Sequence, residues 1–209
     1  MLLYYITDRS QFRGTESQRR EKLLERISAA ARSGVDFIQL REKDLSGREL
    51  ELLAREAVKA VRAASNQARI LINSRADIAM AVGADGVHLR SIDISPAQVC
   101  SIWQSAGVKI RPIVAVSCHT LEDVQHASDS RSDFVVFGPV FEKETAPATG
   151  LESLSAASRY NVPALAVGGV TFSNAYSCIE SGAAGLAGIR LFQDGDVAET
   201  AVKLRSRSR

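Results

Sequence analysis

Short apolar runs rich in Val, Ile and Phe alternate along the chain with longer stretches rich in Ala, Glu and Arg. The runs are continuously apolar, which is typical of strands covered on both faces of a parallel sheet. They lie at residues 3–7, 37–41, 69–73, 86–89, 113–117, 134–138, 164–168 and 185–189. The longer stretches predict helices at residues 18–33, 47–65, 75–82, 96–106, 121–129, 151–159, 172–181 and 196–205.

Eight strand–helix repeats leave few folds open to this chain. Alternation of strands and helices predicts a parallel sheet in an α/β protein, and eight repeats predict its closure into a single (β/α)8 TIM barrel. An open, doubly wound sheet is the alternative. No linker or shift in composition marks a boundary, so residues 1–209 are expected to form one domain.

Charge and cysteine usage argue against several classes of protein. The chain has 26 Lys and Arg against 24 Asp and Glu, a net charge of +2, and lacks the basic stripe typical of nucleic-acid binders. No apolar run reaches the roughly 20 residues of a membrane span, and the first residues, MLLYYITDR, indicate a strand rather than a signal peptide. Three widely spaced cysteines without a C-x-x-C pair favour a reduced, cytoplasmic protein. Neither nucleic acid nor membrane is expected as a partner.

Polar residues follow the carboxyl ends of the strands, the edge that forms the active site of a (β/α)8 barrel. Five cations there, with glycines after strands 7 and 8, favour a phosphate ligand. The alternative is that these cations only solvate the rim. Glu42 and Asp44 alternate away from this face and are expected to pair with neighbouring helices. The five cations are Arg41, Lys43, Arg75, Arg90 and Arg190.

The end of strand 5 reads AVSCHT and carries the one histidine suited to catalysis. Ser117 and His119 share a face in an extended chain and Cys118 faces away, so a Cys–His catalytic pair is not expected. Cys118 is predicted to be a small buried hydrophobe, and His119 has no second metal ligand nearby. His119 is therefore predicted to be a general acid/base. The alternative is that it caps the next helix or binds a backbone carbonyl. His88 is expected to pack or hydrogen-bond within the scaffold.

Five segments occur in a fixed order: FIQLREKDLSGREL, LINSRADIAMAVGADGVHL, VAVSCHTLEDV, DFVVFGPVFEKETAPATGLE and VPALAVGGVTFSNAYSCIESGAAGLAGI. This set resembles the family of thiamine phosphate synthase and the related thiazole tautomerase, over nearly the whole chain. The resemblance implies a (β/α)8 barrel with a site for a phosphorylated thiazole. The synthase joins that thiazole phosphate to a hydroxymethylpyrimidine diphosphate and releases diphosphate.

The resemblance also implies roles for individual residues. The synthase holds the diphosphate with a Q-x-R-x-K motif, which matches Gln39, Arg41 and Lys43. Its glycines for the thiazole phosphate match Gly168 and Gly169. Further substrate-binding positions match Asn73, Ser117 and Thr145, and Arg190 stands where a phosphate-binding serine is usual.

Departures from the synthase pattern concern its metal and its cations. The aspartate of the N-D-R motif, a magnesium ligand, is Ser74 here, and Asp93 remains as the other ligand. The lysine of the strand 6 loop falls at Ala146, with Lys143 nearby. Fewer carboxylates and cations weaken both magnesium binding and stabilisation of a diphosphate leaving group.

These departures favour, narrowly, a reaction like that of the tautomerase, which needs neither metal nor diphosphate and in which His119 would be the acid/base. The retained Q-x-R-x-K motif keeps a divergent synthase as the alternative, with Mg²⁺ as its cofactor and the pyrimidine diphosphate as second substrate. A third alternative is a non-catalytic barrel that binds thiazole or thiamine phosphate. A homodimer is a candidate assembly.

Overall fold

The computed structural model describes residues 1–142 and 147–206. Eight parallel strands close into a barrel in chain order, and β8 pairs with β1 through the register Tyr4 to Ala187. The predicted (β/α)8 fold is therefore confirmed, and the open sheet is excluded. The strands are β1 Leu2–Ile6, β2 Phe37–Leu40, β3 Arg69–Asn73, β4 Gly86–Arg90, β5 Ile113–Cys118, β6 Phe134–Phe137, β7 Ala164–Ala166 and β8 Gly185–Gly188. That the whole chain forms one domain stays a prediction.

Helices follow the strands close to the predicted positions. They are α1 Glu16–Arg32, α2 Gly47–Ala64, α3 Ala76–Val82, α4 Pro96–Ser105, α5 Leu121–Asp129, α6 Gly150–Ala157, α7 Ala175–Glu180, α8 Arg190–Gln193 and α9 Val197–Ser206. Helix α8 and a 3-10 turn at Arg9–Gln11 were not predicted, because elements of three or four residues carry no periodic signal. Helix α7 begins three residues later than predicted. The Asn174 side chain bonds the Thr171 amide and the Gly169 carbonyl and holds a turn there.

Local sequence explains where the long helices begin and which face they bury. Helix α2 starts at a reciprocal capping box between Ser46 and Glu49, which satisfies two N–H groups at the helix start. Its apolar residues, spaced three and four apart, then fall on one buried face. That face packs in the layer between helices and barrel. It consists of Leu50, Leu53, Ala54, Ala57 and Val61.

The barrel encloses a second, smaller core made of inward-facing strand residues. The rings of Phe37 and Phe134 lie with centroids 4.7 Å apart, and Tyr4 meets Phe134 edge-on at 5.4 Å. Because Phe37 and Phe134 begin their strands, these rings fill the N-terminal end of the barrel, which is a packed core and not a pore. A ligand can therefore enter only from the carboxyl ends of the strands. Among the helices described here, none combines the length and the apolarity that a membrane crossing requires.

Candidate active site

Strand β2 carries Gln39 and, just beyond its end, Arg41 on the inner face of the barrel. The Gln39 side chain is 1% exposed, and its amide nitrogen donates no hydrogen bond within the described residues. Leaving a buried donor unpaired costs about 1–3 kcal/mol, so Gln39 is a candidate donor to a bound ligand. The Arg41 guanidinium likewise forms no hydrogen bond or ion pair with any residue that the structure describes.

Arg41, Lys43 and Arg90 form a cation cluster at the mouth. The charge of Arg41, then partial burial, then the charge of Arg90 lower the pKa of Lys43, which places the three charges within electrostatic reach of one another. The expectation that Arg75 would join them is wrong. Its guanidinium is held at 2.8 and 2.6 Å by the carboxylate of Asp77 in the first turn of α3.

A buried ion-pair network fixes the loop that carries Arg41 and Lys43. The Arg9 guanidinium binds Asp44 through two nitrogens at 2.7 Å and reaches Glu42 at 3.1 Å. Thr7 donates to Glu42 at 2.6 Å and accepts from the Arg41 amide at 3.0 Å. Burial raises the pKa of Glu42, against the hydrogen bonds that stabilise its charge. The two carboxylates thus do face away from the mouth, but their partner is Arg9 in the short 3-10 turn and not one of the long helices.

A chain of three polar side chains, the buried Tyr4 and His88 and the half-buried Ser117, runs from the barrel centre to the mouth. The Tyr4 hydroxyl lies 3.0 Å from Nδ1 of His88, and Nε2 of His88 lies 2.7 Å from the Ser117 hydroxyl. Burial raises the pKa of Tyr4 well above its usual value, so its hydroxyl is protonated and donates to Nδ1. Nε2–H then donates to Ser117, whose own proton is left for a ligand. Burial, then the charge of Arg41, lower the pKa of His88 to about 3, so His88 is neutral and positions Ser117.

His119 lies just beyond the end of β5, two residues after Ser117. Its Nδ1 donates to the carbonyl of Gly138, so Nε2 is the ring nitrogen that remains at the exposed edge. Only glycine fits at 138, because a Cβ there would lie 2.1 Å from the Val167 carbonyl oxygen. Cys118 is fully buried in the outer core, and burial raises the pKa of its thiol to about 12. The prediction that Cys118 is a small buried hydrophobe is confirmed. The bond to the Gly138 carbonyl is one of the two alternative roles that the sequence left open for His119, whereas the next helix is capped by Thr120.

Asp93 binds Arg90 and Ser74 at the ends of β3 and β4. One carboxylate oxygen accepts from the Arg90 guanidinium at 3.0 and 2.7 Å, and the other accepts from the Ser74 hydroxyl at 2.8 Å and the Arg90 amide at 2.9 Å. Burial opposes ionisation, but these hydrogen bonds outweigh it and lower the pKa of Asp93. Ser74 adopts a left-handed backbone with φ 55°, which is unfavourable for a side chain other than glycine. Asn73 lies beside it, with its amide nitrogen 3.4 Å from the Ser74 hydroxyl.

The turn after β7 supplies backbone donors. Gly168 and Gly169 both have positive φ, 94° and 66°, a conformation that glycine adopts without strain. Their N–H groups donate to no acceptor within the described residues, and such successive amides form a concave site for anions. Arg190 is exposed at the start of α8, just after β8. Thr145, Lys143 and Ala146 lie outside the described residues.

Comparison with known proteins gives the chain a family. A family described as "Thiamine monophosphate synthase" matches residues 3–192. The chain belongs to the thiamine monophosphate synthase family. Among its relatives, "Putative thiamine-phosphate synthase 2" of Aquifex aeolicus is 38% identical over 91% of this chain and 96% of the relative. "Thiamine-phosphate synthase" of Caldanaerobacter subterraneus is 35% identical, over 93% of this chain and 87% of the relative.

Solved structures agree with this assignment. The thiamine phosphate pyrophosphorylase of Pyrococcus furiosus superimposes with a TM-score of 0.81 at 28% identity, covering 99% of this chain and 94% of that one. A 3-hexulose-6-phosphate synthase superimposes with a TM-score of 0.73 at 22% identity, over 99% of both chains, which at that identity shows a common fold alone. Members of the family are transferases of thiamine biosynthesis and generally use Mg²⁺. The relatives given above carry the name of the synthase and not of the tautomerase.

Proposed function

We propose that the protein is a thiamine-phosphate synthase, which joins a hydroxymethylpyrimidine diphosphate to a thiazole phosphate. The carbon–oxygen bond between the pyrimidine methylene and the diphosphate breaks, and its electron pair leaves on the diphosphate. The thiazole nitrogen then forms the new carbon–nitrogen bond with its lone pair. This proposal reverses the narrow preference for tautomerase chemistry that the sequence alone suggested.

The observation that carries the proposal is the pair of neighbouring cations after β2. Neither Arg41 nor Lys43 forms an ion pair within the described residues. The charge of Arg41 lowers the pKa of Lys43 by more than the charge of Asp8 raises it. Such repulsion is relieved when a polyanion binds between the two groups. A tautomerase substrate carries one phosphate monoester and one carboxylate, and so offers this pair less negative charge than a diphosphate does. A diphosphate leaving group, by contrast, develops charge where the pair lies.

Neighbouring donors suit the same ligand. The unpaired amide of Gln39 and the free hydroxyl proton of Ser117 face the interior above the aromatic core. Both donate, and neither is placed to attack, so they would orient the pyrimidine and its diphosphate. The amides of Gly168 and Gly169, with Arg190 close in sequence to β8, would take the thiazole phosphate at the opposite side of the mouth.

Replacing Arg41 with methionine is expected to lower kcat/KM for the two-substrate reaction about 10²–10³-fold, the usual effect of removing one preorganised donor to a developing anion. The purified protein would be given both substrates, and thiamine phosphate and diphosphate would be quantified together. The control is Arg32→Met, because Arg32 lies in the last turn of α1 at the opposite end of the barrel. Product formation that does not respond to Arg41→Met would contradict the assignment. A wild-type protein that forms no thiamine phosphate would also contradict the assignment, whether or not it binds the two substrates.

One observation favours tautomerase chemistry as a second candidate. The hydrogen bond from Nδ1 of His119 to the Gly138 carbonyl fixes the ring tautomer and leaves Nε2 as a base at the mouth. An imidazole so held can move a proton on a thiazole carboxylate phosphate near neutral pH.

If that candidate is right, His119→Asn should slow metal-independent isomerisation of the thiazole about 10²–10⁴-fold, with little change in binding of the phosphorylated thiazole. Cys118→Ala should cost about 1 kcal/mol of stability and leave turnover near normal, because the buried thiol faces the outer core. An isomerisation assay on both variants measures this. Normal turnover by His119→Asn, or loss of turnover in Cys118→Ala, would remove His119 from the acid/base role.

A further inference from the structure

Mg²⁺ does not fit the residues at the ends of β3 and β4. Magnesium is bound through lone pairs of one or two protein carboxylates. Both oxygens of Asp93 already accept two hydrogen bonds each, from Ser74 and Arg90, and a carboxylate offers about four lone-pair positions. A metal ion would have to displace these donors.

The position where the synthase has its other magnesium-binding carboxylate is neutral here. This position is Ser74, whose hydroxyl already donates its proton to Asp93. Within residues 1–142 and 147–206, no three His, Cys, Asp or Glu side chains come together as metal ligands. The nearest charge is the Arg90 guanidinium, which repels a divalent cation.

Charge balance at this position is nevertheless complete without a metal. A magnesium ion between two carboxylates has no net charge, and the Arg90–Asp93 pair with neutral Ser74 also has none. Nε and one terminal nitrogen of Arg90 bind Asp93, while the other terminal nitrogen donates to no acceptor within the described residues. The Arg90 side chain is 61% exposed, so this free edge is open to a ligand.

The free edge belongs to the same cation cluster that carries the proposed function. The charges of Arg41 and Arg90 both act on Lys43. A guanidinium offers planar, paired donors that match phosphate oxygens, and Asp93 fixes the orientation of this one. Held in this way, the group can neutralise a phosphate oxygen where a metal ion would otherwise do so.

We infer that Arg90, anchored on Asp93 and Ser74, takes the place of the divalent cation, so that the site binds a diphosphate group without Mg²⁺. The inference rests on the proposed function for the diphosphate as ligand. It concerns how that ligand is held and can fail independently of the reaction.

Calorimetry with inorganic diphosphate tests the inference on the intact protein. In EDTA, the wild-type protein should bind diphosphate with an affinity within about threefold of that in Mg²⁺, and Mg²⁺ alone should give no binding heat. Arg90→Met should weaken diphosphate binding in EDTA at least about tenfold, in line with the loss of one charge-assisted contact. Arg75→Met is the matched control, because Arg75 is also an exposed arginine paired with an aspartate but lies outside the cluster.

A double variant, Ser74→Asp with Arg90→Gly, should make diphosphate binding depend on Mg²⁺ by at least about tenfold, since it restores a second carboxylate and removes the guanidinium. A thermal melt would verify that each variant is folded. A wild-type protein that binds diphosphate only with Mg²⁺, or an Arg90→Met protein with unchanged affinity, would overturn the inference. Metal-free binding through Arg90 without formation of thiamine phosphate would instead overturn the proposed function alone.

Discussion

Replacing Arg9 with methionine is expected to lower the free energy of unfolding by about 3–5 kcal/mol, because it leaves a buried carboxylate without its partner. The Arg9 side chain is 5% exposed and that of Glu42 is 2% exposed. Removing the guanidinium also strips Asp44 of both its contacts at 2.7 Å. Urea denaturation monitored by circular dichroism measures the loss.

Arg55→Met provides the matched control for this prediction. Arg55 pairs with Glu51 on an exposed surface of α2 at 2.6 Å, and such pairs contribute only about 0.3–0.5 kcal/mol. A second variant, Arg9→Met with Glu42→Gln, should recover part of the loss because the buried charge is gone. If Arg9→Met costs no more than Arg55→Met, the network does not stabilise the loop that carries Arg41 and Lys43.

Sequence patterns could predict the fold because its determinants are local. Continuous apolar runs and helical periods each occupy a few neighbouring residues, and eight of them in alternation leave little choice of topology. The prediction that Ser117 and His119 share a face rests on strand geometry alone. The burial of Cys118 followed from the same alternation.

Most of the site's hydrogen bonds could not be predicted in this way. Tyr4 and His88 are 84 residues apart, and Arg9 meets Glu42 across 33 residues. No periodicity relates such pairs, and a buried arginine contradicts the usual preference for the surface. Only closure of the sheet into a barrel directs Tyr4 on β1 across the interior towards His88 on β4.

Arg90 shows a signal that could have been used. Arg90 precedes Asp93 by only three residues, so the ion pair between them could be predicted from the sequence. The resemblance to the synthase assigns Asp93 to a metal, and that role does not predict its pair with Arg90. The diversion of Arg75 to Asp77 is equally local and follows from an acidic residue in the first turn of α3.

Acid should strongly destabilise the protein, because the folded barrel keeps the buried His88 from taking up a proton. Burial lowers the pKa of His88 to about 3 in the folded protein, against about 6.5 in the unfolded chain. Between these values the unfolded chain binds the additional proton, so stability is lost as pH falls from about 6.5 towards 3, by up to about 1.4 kcal/mol per pH unit. The Tyr4 and Ser117 hydroxyls face the ring, the charge of Arg41 lowers its pKa, and the charge of the Asp93 carboxylate offsets these effects only in part.

Replacing His88 with glutamine removes this proton linkage while keeping a neutral polar side chain in the barrel. His88→Gln should therefore cost stability at pH 7, because it disrupts the hydrogen bonds that link Tyr4 to Ser117 through His88. The free energy of unfolding of the variant, relative to that of the wild-type protein, should then rise by about 3 kcal/mol between pH 7 and pH 4. Carboxylates that titrate over the same range are common to both proteins and cancel in the comparison. His126→Gln is the control, since His126 is exposed on α5 and should leave the pH dependence unchanged. Urea denaturation at the two pH values measures this change. If the difference in free energy of unfolding between wild type and variant stays constant within about 0.5 kcal/mol, His88 accepts a proton in the folded barrel as readily as in the unfolded chain.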